Sequence, residues 1–166
     1  MWYLFDQNNS YGYFEVNDKL CAKLFIEANN EEEANEKAIS LGCYFNGVEE
    51  GIDCPCCGDR WSDYMNEVNL DEINETGYQV SCYSINETMY QTRDRWYHIY
   101  GKYDIVGDPQ WVSEYSRYRG TIRFRNIEEY AQYMADNYHW TTPDCRIFYL
   151  DGTVKEIFAI SDKNSR

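Results

Sequence analysis

The feature that most constrains this chain is a group of three cysteines within four positions, Cys54, Cys56 and Cys57. Pro55 lies inside the group and Gly58 follows it, so the segment contains Cys-Pro-x-Cys-Gly, the form of one zinc knuckle. Two thiolates at this spacing can bind one tetrahedral ion, because a tight turn brings both sulfurs to the same point. Gly58 permits the positive φ that such a turn often needs. The segment therefore predicts a tight turn that presents thiols.

A complete zinc ribbon needs a second knuckle, and the sequence contains no other CxxC and no HxxxH pattern. Residues elsewhere in the chain can complete the site from a distance: Cys43, Cys82, Cys145, His98 and His139. We predict a structural zinc ion with thiolate ligands. The predicted ligands are Cys54, Cys57, Cys56 and Cys43. The alternative is a turn with reduced, partly buried thiols, since a free cysteine packs as a small hydrophobe.

Acidic residues are concentrated in the first half of the chain. Residues 1–80 hold 17 acids and 4 bases, whereas residues 81–166 hold 12 acids and 11 bases. An acidic surface attracts basic partners and repels nucleic acid, and the alternative is that it serves solubility alone. The chain also has 17 tyrosines, which a disordered acidic tail would lack. Tyrosine suits a recognition surface because it is large, stiff and polar at its tip.

The first residues do not have the pattern of an export signal. The apolar run MWYLF is short and is followed at once by Asp6. A signal peptide needs a basic region and a longer apolar segment, so we expect neither a signal peptide nor a membrane span. Seven cysteines are an odd number, and a reducing cytoplasm with free or metal-bound thiols is the best fit.

Apolar periodicity and turn residues predict eight strands and two helices. The predicted strands are Trp2–Phe5, Tyr11–Val16, Leu20–Ala28, Gly77–Ile85, Arg95–Tyr103, Tyr115–Arg125, Arg146–Leu150 and Thr153–Ile160. The predicted helices are Glu31–Leu41, capped by Asn29 or Asn30 and ended by Gly42, and Ile127–Tyr138, capped by Asn126. The predicted loops are the cysteine-rich segment, Asp63–Glu75 and Asp104–Gln110. We expect residues 161–166 to fray.

These elements predict an α+β fold, with a mainly antiparallel sheet, two helices and a cysteine-rich loop, in one domain over residues 1–166. Residues 20–41 and 121–138 each run from a strand into a helix, and they match one another weakly. The match indicates a duplicated strand–helix unit. Shared capping chemistry explains it equally well, because Asn followed by Glu-Glu is a favourable helix start.

One basic segment, Tyr115–Arg125, contains four arginines. They are Arg117, Arg119, Arg123 and Arg125. In a continuous strand all four point to the same side, whereas a turn or bulge at Gly120 makes the two pairs diverge. Such a row can bind a phosphate or an acidic partner. The alternative is that the arginines pair with the protein's own acidic surface across a sheet.

The sequence offers little for catalysis. No GxSxG, P-loop, GxGxxG, HExxH or kinase pattern occurs. The two histidines, His98 and His139, lie among aromatic residues, which favours packed side chains over general bases. We therefore predict that the protein is not an enzyme. A metal-dependent hydrolase centred on Cys54–Arg60 ranks last among the hypotheses.

The central segment has a distinctive sequence that extends beyond the cysteines. Its characteristic residues are Gly42, Tyr44, Phe45, Gly47, Val48, Gly51, Asp53, Cys54 and Cys56–Trp61. This motif resembles that of a family of small, uncharacterised proteins from tailed bacteriophages. The resemblance covers about a quarter of the chain. It implies a phage-encoded protein that acts in the cytoplasm of the bacterial host, without implying any catalytic residue.

The leading hypothesis is a non-enzymatic phage accessory protein that binds and inhibits a host or anti-phage defence protein. The predicted partner-binding residues are Asp59, Arg60, Trp61, Glu49 and Glu50. One alternative is an acidic DNA mimic that blocks a nucleic-acid-binding enzyme. Another is a pocket protein that sequesters a nucleotide signal, with one or more of the four arginines on the phosphate and tyrosines on the base.

Overall fold

The computed structural model describes residues 1–63 and 66–160. Within these ranges the chain forms eight β-strands and four α-helices. The strands are β1 (Trp2–Asp6), β2 (Lys23–Glu27), β3 (Asn66–Val68), β4 (Tyr78–Tyr83), β5 (Asp104–Val112), β6 (Arg117–Arg123), β7 (Cys145–Phe148) and β8 (Val154–Ile157). The helices are α1 (Glu31–Leu41), α2 (Leu70–Thr76), α3 (Met89–Tyr100) and α4 (Ile127–Asn137).

The chain divides into two compact units. Unit 1 comprises residues 1–68 and 130–166, and unit 2 comprises residues 69–129. Unit 1 contains a five-stranded sheet in the order β3-β1-β2-β7-β8, in which β2 and β7 are parallel and the other neighbours are antiparallel. Helix α1 buries Ala34, Ala38 and Leu41 in the core of this unit. The spacing of these three residues gives α1 one apolar face.

Unit 2 contains a three-stranded antiparallel sheet in the order β4-β6-β5. Its core is aromatic. Helix α3 presents the fully buried Trp96, whose ring contacts those of Tyr97, Tyr100 and Tyr118. The Trp96 indole N–H donates to the carbonyl of Val80 on β4. The aromatic cluster therefore fixes the helix on the sheet through both edge-to-face or tilted ring contacts and a hydrogen bond.

The elements with local start and stop signals are confirmed. Helix α1 has the predicted bounds, because the side chain of Asn30 caps Glu33 N and Gly42 ends the helix at a φ of 115°. Helix α4 starts at Ile127, where the Asn126 side chain accepts from Glu129 N. The N-terminal strand and the C-terminal hairpin of β7 and β8 also form. The two strand–helix segments exist as β2–α1 and β6–α4, and their duplication stays a prediction.

The α+β class is confirmed, but two details of it are wrong. The sheet of unit 1 is mixed, because β2 and β7 pair in parallel over a separation of more than 100 residues that no local pattern reveals. Four α-helices, instead of the predicted two, occur in residues 1–63 and 66–160. None of the helices in these ranges has the length and apolar character needed to cross a bilayer.

The predicted strand at Arg95–Tyr103 is wrong, because Arg95–Tyr100 belongs to α3. The helix starts with a capping box, in which Thr88 and Gln91 each bond to the other's backbone N–H. Its buried residues are Thr92, Trp96 and Tyr100, a spacing of four typical of a helix. The aromatic residues suggested a strand, but their periodicity follows the helix.

The predicted loop at Asp104–Gln110 is also wrong, because it forms most of β5. This strand lies at the edge of its sheet, and its register with β6 shifts between Val106 and Gln110. Gly107 has a φ of 69° within the irregular stretch, and Pro109 lies there as well. Edge strands and bulges tolerate both residue types, so these turn signals did not end the strand.

Two further predictions fail in unit 1 and at the start of unit 2. The predicted strand Tyr11–Val16 is a short 3-10 turn at Ser10–Gly12 followed by irregular backbone. The predicted loop Asp63–Glu75 contains β3 and most of α2, whose N-cap is Asn69. The two missed elements, β3 and α2, are short, and their sequences have weak periodicity. Residues 64 and 65 of this loop, and the expected fraying of residues 161–166, lie outside the described part of the chain.

Candidate functional site

The cysteine-rich turn is supported by one buried arginine. Arg60 is 2% exposed, and its guanidinium donates to the carbonyls of Ser10 (2.8 Å) and Tyr13 (2.7 Å) and to Oε1 of Gln7 (2.9 Å). It also lies over the ring of Tyr13, 4.5 Å from its centroid. These acceptors belong to the irregular segment after β1, whose carbonyls have no strand partner there. Arg60 therefore binds that segment to the end of the cysteine-rich turn.

A buried carboxylate supports the turn from its other side. Asp53 accepts hydrogen bonds from the backbone N–H of Arg60 and from the hydroxyl of Tyr44, both at 2.8 Å. Its Oδ1 lies 3.9 Å from Arg60 Nε, and both side chains are almost fully buried. Gly47 approaches the Asp53 carboxylate so closely that a Cβ there would collide with it. The motif residues Tyr44, Gly47, Asp53 and Arg60 thus form one packed polar network.

The turn itself is closed by hydrogen bonds of its own backbone. The N–H groups of Cys57 (3.1 Å) and Gly58 (3.0 Å) both donate to the carbonyl of Cys54. Gly58 has a φ of 90°, as predicted from its position. Side chains from the irregular segment complete the frame, since Ser10 Oγ accepts from Cys54 N and Asn8 Nδ2 donates to the Cys57 carbonyl.

The turn presents its thiols to solvent. Cys54 is half-buried, and Cys56 and Cys57 are exposed. A hydrogen bond from the Cys57 thiol, followed by the backbone N–H groups of Cys57 and Cys56, lowers the pKa of Cys54 below its usual range. The same contact with Cys54 raises the pKa of Cys57. The two thiols are therefore neighbours with different acidities.

The four-cysteine zinc set predicted from the sequence is not assembled in the described residues. No group of three or more His, Cys, Asp or Glu side chains there is arranged to hold a metal ion. Cys43 lies in the apolar core of unit 1, where burial raises the pKa of its thiol to about 12. Cys54 and Cys57 alone offer two sulfurs, whereas a structural zinc site takes four ligands.

The other proposed zinc ligands lie in different settings. Cys82 and Cys145 are buried, and burial raises the pKa of both thiols. His98 is exposed on α3, so the expectation of a packed side chain is wrong for this residue. His139 is also largely exposed, with its Nδ1 at 2.6 Å from Oδ2 of the buried Asp144.

The predicted partner-binding residues separate into interior and surface groups. Arg60 and Trp61 are buried, at 2% and 0% exposure, and their contact with a partner stays a prediction. Asp59 is half-buried and accepts from the backbone N–H of Val48. Glu49 and Glu50 are exposed. A position close to the motif in the sequence therefore did not distinguish residues that support the turn from residues on its surface.

The arginine segment forms a continuous strand, so the alternative of a turn at Gly120 is wrong. Arg117, Arg119 and Arg123 share the face of β6 opposite to the buried Tyr118 and Ile122. The row of arginines on this face ends at Arg123, where β6 ends. Beyond the strand, Arg125 pairs with Glu129 (3.0 Å) and donates to the Lys102 carbonyl, whereas Arg123 Nε donates to the Asn74 carbonyl.

Arg117 forms the centre of an aromatic cluster on unit 2. Its guanidinium carbon lies 5.0 Å from the ring centroid of Tyr115 and 5.9 Å from that of Tyr83. Both tyrosines are more than half exposed, at 59% and 57%. The Nε of Arg117 is buried and has no hydrogen-bond partner among the described residues. A second guanidinium nitrogen of Arg117, Nη1, donates to the hydroxyl of Tyr83 at 3.4 Å.

Further exposed apolar residues continue from this cluster along the chain. They follow β4 and begin α3, at Ile85, Met89 and Tyr90. The loop after β4 is bonded to the loop before β6, because Ser84 N donates to the Ser116 carbonyl. We call Tyr83, Ile85, Met89, Tyr90, Tyr115 and Arg117 the tyrosine–arginine surface. Sequence reasoning expected a tyrosine-rich recognition surface without locating it, since its residues lie far apart in the sequence, from the end of β4 to the start of α3 and again around the start of β6.

Comparison with known proteins gives one match. The model of a family described as "Domain of unknown function (DUF7296)" matches residues 1–110, which include the cysteine-rich turn and all of α3. No curated protein and no solved structure matches the chain.

Proposed function

Because the chain belongs to the family described as a domain of unknown function (DUF7296), we propose a function from its own surfaces: it is a phage accessory protein that binds and inhibits a host or anti-phage defence protein. It acts in the cytoplasm of the bacterial host, without a catalytic role of its own. The observation that carries this proposal is the tyrosine–arginine surface. Tyrosine, methionine and arginine are the residue types enriched at protein interfaces and at their energetic centres.

The surface also indicates what its partner presents. The Arg117 guanidinium lies beside the rings of Tyr83 and Tyr115, and its planar set of donors matches a carboxylate. The exposed rings of Tyr83 and Tyr115 call for an apolar recess beside it. The proposed partner is therefore a protein whose contact surface offers a carboxylate at the edge of an apolar recess.

The test starts from capture of a partner by the full chain from host lysate at moderate salt. The purified partner is then titrated with Tyr83→Ala, Tyr115→Ala and Arg117→Ala variants. Each is expected to raise Kd about tenfold or more, as truncation of a central interface residue does. The matched control is Ile39→Ala, which removes an apolar side chain that is 56% exposed on α1. Equal affinity of the Tyr83→Ala/Tyr115→Ala double variant and the wild type would overturn the proposal.

A DNA mimic is the second candidate, and the acidic surface of unit 1 favours it. Unit 1 holds 19 acids and 8 bases, whereas unit 2 holds 10 acids and 7 bases. Its exposed carboxylates include Glu31, Glu32, Glu33, Glu36, Glu49 and Glu50. A mimic should lose inhibition steeply as salt rises, and the Glu31→Gln/Glu32→Gln/Glu33→Gln variant should weaken it more than the tyrosine variants do. Inhibition that salt leaves unchanged would count against a mimic.

A nucleotide-sequestering protein is the third candidate. The placement of Arg117 between two exposed tyrosines favours it, because rings can stack on a base while the guanidinium binds a phosphate. Calorimetry with cyclic dinucleotides and with ADP-ribose should then give heat that the Arg117→Ala variant abolishes. A titration without heat would remove this candidate.

A further inference from the structure

The cysteine-rich turn brings the backbone of Cys57 close to that of Cys54. The bond from Cys57 N to the Cys54 carbonyl closes a four-residue turn, which brings the two Cα atoms within about 7 Å. A disulfide spans Cα atoms about 4.4–6.8 Å apart. The two thiols also influence each other, since each shifts the pKa of the other. Pro55 occupies the second position of the turn, where its fixed φ favours the closed form.

The frame around this pair keeps it in place without burying it. Cys54 N and the Cys57 carbonyl are bonded to the side chains of Ser10 and Asn8. The buried Arg60 holds the segment from which these side chains come. Cys57 itself is exposed, so a molecule in solution can reach the pair. The frame therefore lowers the entropy cost of bringing the thiols together.

The other five cysteines differ from the Cys54–Cys57 pair. Four of them are buried: Cys21, Cys43, Cys82 and Cys145. Cys56 is exposed, but the backbone hydrogen bond that closes the turn joins Cys57 to Cys54. Cys56 is therefore a matched neighbour, with similar exposure and a different role.

We propose that Cys54 and Cys57 form a thiol–disulfide exchange site whose substrate is a small disulfide of the glutathione disulfide class. The Cys54 thiolate attacks one sulfur of the substrate, whose S–S bond breaks and releases one thiolate. The Cys57 thiolate then attacks the Cys54 sulfur of the mixed disulfide and releases the second thiolate. The two protons of the dithiol pass to the two released thiolates. Two electrons thus move from the dithiol to the substrate, and the Cys54–Cys57 disulfide forms.

The contacts assign the two roles. Cys54 is the attacking thiol because the Cys57 thiol and the N–H groups of Cys56 and Cys57 stabilise its thiolate and lower its pKa. Cys57, whose pKa the same pair raises, resolves the mixed disulfide. This activity goes beyond the proposed binding function, because it uses the turn of unit 1 and does not need the tyrosine–arginine surface.

The experiment equilibrates the full, reduced chain in glutathione buffers of graded oxidised-to-reduced ratio. Free thiols are then blocked with a maleimide, and intact mass and peptide mapping are measured. The expected result is one two-electron transition in which two alkylation sites are lost together and a Cys54–Cys57 disulfide is found. Cys57→Ser should instead accumulate a glutathione adduct on Cys54, because nothing resolves it. Cys54→Ser should show no such adduct.

Cys56→Ser is the matched control, and it should keep the transition within about twofold of the wild-type midpoint ratio. Serine is close in size to cysteine, and circular dichroism checks that each variant folds. Three outcomes would overturn the proposal: a disulfide that contains Cys56, oxidation only together with the four buried cysteines, or one equivalent of zinc that protects the pair from maleimide. A chain that stays reduced at every ratio would do so as well.

Discussion

The two units stabilise themselves by different means. Among the described residues, every buried charged side chain belongs to unit 1. They are Lys23, Asp53, Arg60, Asp144 and Arg146. Unit 2 buries no charged side chain in the same set, and its interior is built on the ring contacts of Trp96. One unit thus depends on internal hydrogen bonds to charges and the other on aromatic packing.

The reason for the difference lies in the loops. Unit 1 contains long irregular segments whose carbonyls and N–H groups have no strand partner. Its buried charges bind these groups, except Lys23, which pairs with Asp6 (3.3 Å). Arg146 donates to the carbonyls of Asn17 and Leu20, and Asp144 accepts from the N–H groups of Trp140 and Thr141. Arg60 binds carbonyls in the same way. Arg60, Asp144 and Arg146 are therefore buried where backbone pairing is absent, because an unpaired backbone group in the interior is costly.

The largest expected effect tests unit 1. Arg60→Ala removes the donors for two carbonyls and leaves the buried Asp53 carboxylate without its cation, so unfolding free energy should fall by about 3–5 kcal/mol. Urea unfolding measures the change. The control Arg93→Ala removes an exposed guanidinium of unit 2 and should change stability by less than about 0.5 kcal/mol. A loss of under about 1 kcal/mol for Arg60→Ala would contradict the role of buried charge.

The next effect tests the aromatic packing of unit 2. Gly120 lies on β6 against the ring of Trp96, and a Cβ there would collide with that ring and approach Pro109. Gly120→Ala should therefore cost about 1–3 kcal/mol through overpacking. The control is a double-mutant cycle with Trp96→Phe, whose smaller ring leaves room for the methyl group. Additive losses in the cycle would show that the two positions are not in tight contact.

How much the sequence reveals also differs between elements. Helix α1 was predictable because Asn30 and Gly42 are local signals, and the cysteine turn because Pro55 and Gly58 are. The parallel pairing of β2 with β7 and the role of Arg60 were not predictable, since each depends on partners far away in the chain. A residue that lies next to a motif in the sequence can therefore be a buried support of that motif, even though its position suggests a role in catalysis or binding.

In unit 2 the failures have a local cause. The sequence of α3 contains aromatic residues that also favour strands, so composition and periodicity disagreed, and periodicity was correct. The capping box of Thr88 and Gln91 was the signal that could have decided it. For β5, Gly107 and Pro109 marked a bulge in an edge strand instead of a loop.

A smaller effect is expected to be the same in both units. Asn30 caps α1 in unit 1, and Thr88 caps α3 in unit 2, each accepting a hydrogen bond from the third helical residue. Asn30→Ala and Thr88→Ala should each lower stability by about 1 kcal/mol, because one backbone N–H loses its acceptor. Urea unfolding measures both, and Ser40→Ala, an exposed site near the end of α1, is the control. If only one of the two variants lost stability, the contribution of helix capping would also differ between the two units.

The smallest effect concerns a surface ion pair, the counterpart in unit 2 of the buried charges in unit 1. Arg95 donates to the Glu87 carboxylate from Nε (3.0 Å) and Nη2 (2.7 Å), and these bonds hold the pKa of Glu87 below its ordinary value of 4.5. A depressed folded-state pKa contributes stability above pH 4.5, which is lost as pH falls through the lower folded-state value. The stability difference between wild type and Glu87→Gln should therefore shrink between pH 6 and pH 3, and added salt should reduce this difference. A difference that is constant over this range would show that the pair contributes nothing, and unit 2 would then depend on packing alone.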